Sequence, residues 1–341
     1  MCMSNEDFFV HTEPAPVILP APDPVVVEKK PKTVSFSQYA MWLKCPQQWK
    51  LSYIDKLAPF ESSINTVFGD AIHEALQEYL RVLYSIGSVG ADALNTYEIF
   101  EKSFLAGVKE KLKMATPEQL TLPKEELEEL DVVTEEMVKE FCQDGKNILD
   151  HVTSYTIRSK HFPSKKYEVV GIELPLEIPI RGGKIVYKGY LDIVLRDRIT
   201  KKILILDFKT SSYGWNKYQK ADRTKLDQLL LYKRFYNQLF KVPMMDIEVE
   251  FFVVKRKLYE DVAFPQQRIQ RIAPPSGKMS MKEVEESFLD FIKNGFNEAG
   301  EYAKDAVFLK NPGNGRKNCK YCIFKTLKNA EGNLYCDGKE G

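Results

Sequence analysis

The composition excludes more than it suggests. Lysine and arginine number 49 against 48 aspartates and glutamates, a net charge of +1 over 341 residues. A nucleic-acid role therefore cannot rest on bulk charge and would need a local basic face. No apolar run approaches the ~18–20 residues of a membrane span. The opening, MCMSNEDFFVHTEP, has no basic stretch leading into an apolar core and does not read as a signal peptide. The cytosol is the expected setting, where six cysteines read as thiols or metal ligands rather than disulfides. No G-x-x-x-x-G-K-[ST] loop occurs, which excludes a nucleotide-driven motor of that kind, and no internal repeat is found. Histidines number only four. What is present, 44% hydrophobic and 28% charged residues, is ordinary for a soluble globular protein of one elaborated domain or two.

Residues 1–33 contain PAPVILPAPDPVVVEKKPK, Pro-rich and without helical period. They are predicted to form an extended or disordered tail, a spacer or a docking peptide for a protein partner. Order is expected to begin at SFSQYAMWLKCPQQWKLSYI. Ser35 or Ser37 can cap a short helix, and Pro46 after Cys45 suits the first position of a second. In FGDAIHEALQEYLRVLYSIG, the residues Ile72, Ala75, Leu76, Tyr79, Leu80 and Leu83 form a helical stripe with Gly87 past its end. Residues 91–160 read as a mostly helical, acidic lobe broken by PEQLTLPKEELEEL. Residues 166–210 are strand-like, with a Gly-Gly turn. TKLDQLLLYKRFYNQLFK reads as a helix, DIEVEFFVVKRK as a strand, and SMKEVEESFLDFIKNGFNEAG as a Ser-capped helix. A short cysteine-rich tail closes the chain.

One stretch resists this plain reading. YKGYLDIVLRDRITKKILILDFKTSS, residues 187–212, forms an apolar hairpin that nevertheless contains Asp192, Asp207 and Lys209. Carboxylates in a sheet are costly unless something positive sits with them. Side chains alternate faces along a strand, so Asp207 and Lys209 share a face with Ile203 and Ile205. With the turn centred on Ile199 and Thr200, Asp192 and Asp207 face each other directly. Their Cβ atoms would be ~5 Å apart, where two like charges are destabilising. A divalent cation between them removes the conflict, because hard cations favour carboxylate oxygen, and Lys209 would lie beside it. The simpler alternative is a salt bridge from Lys209 to one aspartate, with the other at a sheet edge.

Gly189-Tyr-Leu-Asp192, a hydrophobic strand, then Asp207-Phe-Lys209-Thr210 resembles the signature of the PD-(D/E)xK nuclease superfamily. SFSQYAMWLKCPQQWKLSYI is similar to the S-x-S-Q…C-P-x-x-(W/F/Y) segment of its RecB-type exonuclease branch. FGDAIHEAL is similar to that branch's F-G-x-x-x-H helix, and Gln228-Leu-Leu-Leu-Tyr232 to its Q-x-x-x-Y helix. The four stand in the family's order from residue 35 to 232, and the cysteine tail extends the likeness to 336. The resemblance implies an α/β, restriction-endonuclease-like fold, a mixed β-sheet core flanked by helices. It would span residues 34–341, with a helical insertion or lobe at 91–160 and a C-terminal cysteine-bearing segment at 311–341.

The resemblance also implies roles. His73, Asp192 and Asp207, with the Phe208 carbonyl, would hold Mg2+ or Mn2+, imidazole suiting Mn2+ better. Lys209 would orient or help deprotonate the attacking water, aided by a pKa lowered through desolvation. The ion would polarise the phosphoryl oxygen and supply hydroxide. Gln228 and Tyr232 share a helix face and would flank the site, though Tyr232 could equally be core. Glu173 matches a glutamate often found on the preceding strand and could reach the site or be solvated. His73 could instead be a helix-surface histidine.

Some members of the branch hold a [4Fe–4S] cluster through one cysteine in the N-terminal C-P segment and three in the C-terminal tail. Cys45, Cys319, Cys322 and Cys336 match those positions, and four thiolates are what such a cluster needs. Cys336 departs from the pattern, lying farther beyond Cys322 than the family places its last ligand. A structural Zn2+ site fits the same residues. Cys2 and Cys142 match nothing.

Directly after D-x-K-T, SSYGWNKYQKADRTK interleaves Trp215 and Tyr218 with Lys217, Lys220, Arg223 and Lys225. Basic side chains bind phosphate and aromatics stack on unpaired bases, so this is the candidate DNA contact. The expected function is a metal-dependent deoxyribonuclease. It would be an exonuclease on single strands or duplex ends, serving DNA recombination, repair or phage DNA processing in a bacterial or phage-infected cytoplasm. The alternatives are a catalytically idle DNA-binding clamp subunit of the same fold, disfavoured by the intact D…D-x-K set, and a restriction-type endonuclease, disfavoured by the helix motifs.

Overall fold

The computed structural model describes residues 30–57, 62–121, 132–260 and 262–338. Most of the expected Pro-rich tail, residues 1–29, and most of the acidic break in the lobe lie outside these. Order starts earlier than predicted. Strand β1 (Lys32–Val34) occupies the end of the expected tail. Ser35 then caps α1 (Phe36–Lys44), accepting from the Gln38 amide at 3.4 Å, so it and not Ser37 is the cap. Extended Cys45 breaks the helix, and Pro46 opens α2 (Pro46–Trp49), which has no need of an amide hydrogen there.

Ser63 caps α3 (Ile64–Ser85), whose predicted stripe is buried in full. Gly87, with φ 109°, turns the chain out of it. The lobe consists of α4 (Ser88–Asp92), α5 (Thr96–Lys111), α6 (Glu135–Thr153) and α7 (Tyr155–His161). It also holds two short parallel strands, β2 (Lys113–Met114) and β3 (Val132–Val133). Next come β4 (Tyr167–Ile180), β5 (Ile185–Asp197) and β6 (Ile203–Ser211). The chain continues through α8 (Arg223–Phe240), β7 (Ile247–Lys255), β8 (Ile269–Ile272) and α9 (Lys278–Gly295). Strand β8 was not anticipated. The expected serine cap of α9 is corrected: the helix starts a turn earlier, at Gly277, without a side-chain cap.

The main sheet is mixed, with order β1-β5-β6-β7-β8 and β4 also on β5. Strands β1 and β5, and β6 and β7, run parallel; the other pairs are antiparallel. Alternation divides β6 between two cores. Ile203 and Ile205 enter the one built on α1, α8 and α9; Leu204, Leu206 and Phe208 enter the one built on α3, α5 and α6. The result is helix, sheet, helix.

The first core is aromatic. Trp49, fully buried, meets Trp42, Phe291, Phe296, Tyr302 and Phe308 at centroid distances of 5.4 to 5.8 Å. The C-terminal segment closes over it. The Gln47 amide donates to the Leu309 carbonyl at 3.2 Å, and Asn318 Nδ2 donates to the Lys44 carbonyl at 2.9 Å. Among the described residues no helix is long and apolar enough to cross a membrane.

Candidate active site

Asp197 makes the hairpin turn. Its Oδ1 accepts from the Ile199 and Thr200 amides at 2.9 and 2.8 Å. The register that follows is the expected one, centred on Ile199 and Thr200, and the β5–β6 ladder ends at Ile193 opposite Leu206. Beyond that pair β6 continues only with β7, while β1 takes over beside β5 at residues 185–187. The two strands therefore fork, and Asp192 and Asp207 are the first facing residues in the fork. The Phe208 amide donates to Asp192 Oδ2 at 2.6 Å.

Glu173 belongs to the same row. Its neighbours pair as Ile172 with Ile193 and Leu174 with Leu191, which puts Glu173 opposite Asp192. Its φ of 54° breaks the local ladder. The side chain turns toward α3 and accepts from Gln77 Nε2 at 2.5 Å. Three carboxylates thus line up across β4, β5 and β6.

Asp207 is only 1% exposed and Asp192 9%. Burial first, then the charge of Asp207, holds the Asp192 pKa well above the ordinary carboxylate range. Lys209 Nζ lies 2.5 Å from Asp207 Oδ1, an ion pair that is not aligned as a hydrogen bond, so that buried oxygen has no hydrogen-bond partner. Burial pushes the Lys209 pKa down, but Asp207 and Asp192 outweigh it and the net direction is up. This corrects the expected lowering: with both carboxylates beside it, the ammonium is kept charged. The simple salt bridge weighed above is thus present, but neither aspartate lies at an outer edge of the sheet.

Helix α3 reaches the fork because Gly69 lets it. A Cβ there would stand 3.2 Å from Thr210 Oγ1. One turn later His73 places Nδ1 3.7 Å from Asp192 Oδ2 and shares a hydrogen bond with the Phe208 backbone. Burial, then the Lys209 charge, lowers its pKa, which favours the neutral imidazole that can ligate metal. Gly189 performs the same service on the other side. Its Cβ would press on the rings of Tyr187 and Tyr232 at 3.1 and 3.3 Å. Gln228 Nε2 donates to the Tyr232 hydroxyl at 2.9 Å. Tyr232 is both core and site wall: buried in the α8 core, its pKa is raised by burial and then by Asp207.

The loop after β6 is only partly what was expected. Trp215 is 5% exposed and packs on Phe251 at 4.9 Å, so it is a core residue and not a free stacking face. The expectation failed because Phe251 lies on β7, far off in sequence. Lys225 Nζ sits 4.9 Å over the Trp215 ring. Arg223 pairs with Asp227 at 3.0 Å and Glu283 at 3.9 Å. Lys217, Tyr218 and Lys220 are exposed, with Lys217 Nζ 5.0 Å over Tyr218. The sequence reading passed over Tyr213 and Tyr259, which stack on each other at the surface. Tyr213 sits within the quoted loop, but Tyr259 belongs to no motif.

Among the described residues no three His, Cys, Asp or Glu side chains close around one point as metal ligands. In the fork, Asp192 is turned to the Phe208 amide and Asp207 to Lys209. The donors still fit a hard divalent ion: two facing carboxylates, one with a buried unbonded oxygen, beside a neutral imidazole. Cys45, Cys319, Cys322 and Cys336 are free thiols lining a single pocket beside the α1–α2 junction. Burial raises the Cys322 pKa, and Cys336 and Cys45 add to it.

A family model for the PD-(D/E)XK nuclease superfamily matches residues 33–327. Among solved structures, a candidate exonuclease from Eubacterium rectale aligns with TM-score 0.43 and 10% identity, over 77% of this chain and 80% of its own. The protein SSO0001 aligns with TM-score 0.33 and 13% identity, over 89% and 88%. No curated protein matches.

Proposed function

Because this chain belongs to the PD-(D/E)XK nuclease superfamily, we propose that it is a metal-dependent DNA exonuclease that hydrolyses phosphodiesters at single-stranded or duplex ends. The observation that carries the reading is the facing pair Asp192 and Asp207 at the fork, with Lys209 against Asp207. Asp192, Asp207, His73 and the Phe208 carbonyl would hold Mg2+ or Mn2+. Such an ion, when bound, polarises a phosphoryl oxygen and lowers the pKa of water. Lys209 orients the attacking water and offsets charge on the phosphate. Glu173, held by Gln77, keeps a further carboxylate in the row. Gln228 fixes the Tyr232 hydroxyl, and together they wall the site.

The four cysteines would hold one structural metal centre, a [4Fe–4S] cluster, joining the N-terminal helices to the C-terminal segment. The support is their common pocket. Exposed Lys217, Tyr218 and Lys220 beside the fork supply part of the DNA contact. A role in recombination, repair or phage DNA processing follows from that activity. The test is degradation of end-labelled single-stranded, duplex and circular DNA with Mg2+ or Mn2+. Loss of linear DNA with circles spared is expected. Absence of cleavage by the wild type, or equal cleavage by Asp207→Asn, would overturn the reading.

A further inference from the structure

Tyr213 and Tyr259 lie with their rings nearly parallel, 14° apart, at a centroid distance of 4.8 Å. They are 46% and 57% exposed. Two aromatic rings in water contribute nothing to either core, yet the loops that carry them are tied down by hydrogen bonds. Gln266 accepts from the Tyr259 amide at 2.8 Å and donates to its carbonyl at 2.6 Å. Gln270 does the same for Trp215, at 2.8 and 3.4 Å. Between them Gly214 takes φ 89°, where a Cβ would stand 2.8 Å from Gln270 Oε1. The Arg256 and Lys257 amides donate to the Ser211 and Ser212 carbonyls, both at 2.8 Å, and tie the two loops together.

The stack is also close to the chemistry. Tyr213 is four residues beyond Lys209, and an extended chain covers at most ~14 Å in that span. The backbone between them, Thr210 to Ser212, lines a mostly polar trough together with Asn65, Thr66, Phe68 and Arg256. Arg256 is already paired with Asp144 at 2.6 Å and Glu140 at 3.2 Å. The trough therefore offers hydrogen bonds to a strand more than net positive charge.

From this we infer that Tyr213 and Tyr259 form a prebuilt platform on which an unpaired base of the substrate strand stacks while its phosphates cross the trough to Lys209. The inference rests on the nuclease reading and deepens it: the substrate enters as single-stranded DNA or as a frayed end. Duplex DNA keeps its bases in its own stack and gains nothing from the platform. Base stacking is sequence-tolerant, because every base has a π-face. The increment in affinity should also resist salt, unlike phosphate contacts.

The test is equilibrium binding of fluorescein-labelled oligo(dT), and of the same length carrying abasic sites, in EDTA so that no cleavage is required. Wild type is expected to bind oligo(dT) about tenfold more tightly than the abasic strand, and to keep that ratio as salt rises. Tyr213→Ala and Tyr259→Ala lose the ratio, and Tyr213→Phe retains it. Should an alanine variant melt early, Tyr213→Leu keeps bulk without a π-face and should also lose the ratio. Folded variants that keep the wild-type ratio would overturn the platform. A wild type that cleaves DNA without favouring the base-bearing strand would overturn it too, while leaving the nuclease reading intact. A wild type that neither binds nor cleaves DNA would overturn both.

Discussion

The Phe208 amide donates to the Asp192 carboxylate at 2.6 Å, just past the last paired residues of β5 and β6. A side chain thus takes over where the β5–β6 ladder stops, tying the strands together at the point where they separate. The carboxylate that does this is also one the fold penalises for being charged.

Asp192→Asn keeps an acceptor for that amide and removes the charge. Cleavage should fall by at least ~10²-fold. The melting temperature should rise, because burial and Asp207 both disfavour the ionised form that the substitution eliminates. Asp207→Ala and Lys209→Ala should likewise abolish cleavage in folded protein. Rates on end-labelled DNA and thermal melts decide; an undiminished Asp192→Asn rate would end the site assignment.

Acid stability should report on His161. It is buried against Phe252 and Phe162, its Nδ1 has no hydrogen-bond partner, and burial first, then Arg271 and Lys160, bring its pKa down to about 4. Between about 4 and the model-peptide value of 6.5 the unfolded chain binds a proton that the folded one does not. Stability is therefore full above about 6.5 and is lost as pH falls toward 4, by up to ~3 kcal/mol from this group. His151, also lowered by burial, adds in the same direction. Denaturant unfolding from pH 7 to 4 should show a shallower loss for His161→Phe; identical slopes would rule His161 out as the source.

If the four cysteines hold the proposed cluster, Cys45→Ser and Cys322→Ser should each abolish metal binding, and Cys142→Ser should not. Protein purified without oxygen should be brown and contain iron and acid-labile sulfide. Colourless protein with one zinc would retain the ligand set and reject the cluster. Metal-free wild type of unchanged stability would reject both.

Trp215→Ala should cost about 3–5 kcal/mol of stability, as for other buried large aromatics. Tyr218→Ala, at a position 74% exposed, should stay within ~0.5 kcal/mol. Urea titrations separate the two; equal stabilities would mean the Trp215–Phe251 packing contributes nothing.

Local pattern carried much of this site. Alternation and a polar turn are enough to set the hairpin register, so the facing aspartates are legible in the sequence. Glu173 was half legible: alternation separates it from Ile172 and Leu174, but its positive φ and its bond to Gln77 depend on α3. The fork itself was hidden, because it needs β1, three residues at the end of a Pro-rich stretch that pair with a strand more than 150 residues away. Trp215 was misread for a similar reason, its partners Phe251 and Gln270 being remote. Tyr259 had no local signal at all. The Lys209 pKa ran opposite to expectation because two buried carboxylates outweigh desolvation.

The covering of Trp49 by Phe291, Phe296, Tyr302 and Phe308 has a consequence during synthesis. Ribosomes deliver roughly 5–20 residues per second, so this indole waits on the order of 15–50 s before its last neighbour is made. Contacts of such long sequence separation form slowly. Throughout that wait the growing chain exposes an aromatic surface that cannot yet be buried, the kind of surface on which nascent chains aggregate. Cys45 waits with it, since Cys319, Cys322 and Cys336 emerge later still. The cysteine pocket thereby cannot assemble until residue 336 has been made, and the lag before solubility should lengthen if translation is slowed between codons 50 and 310.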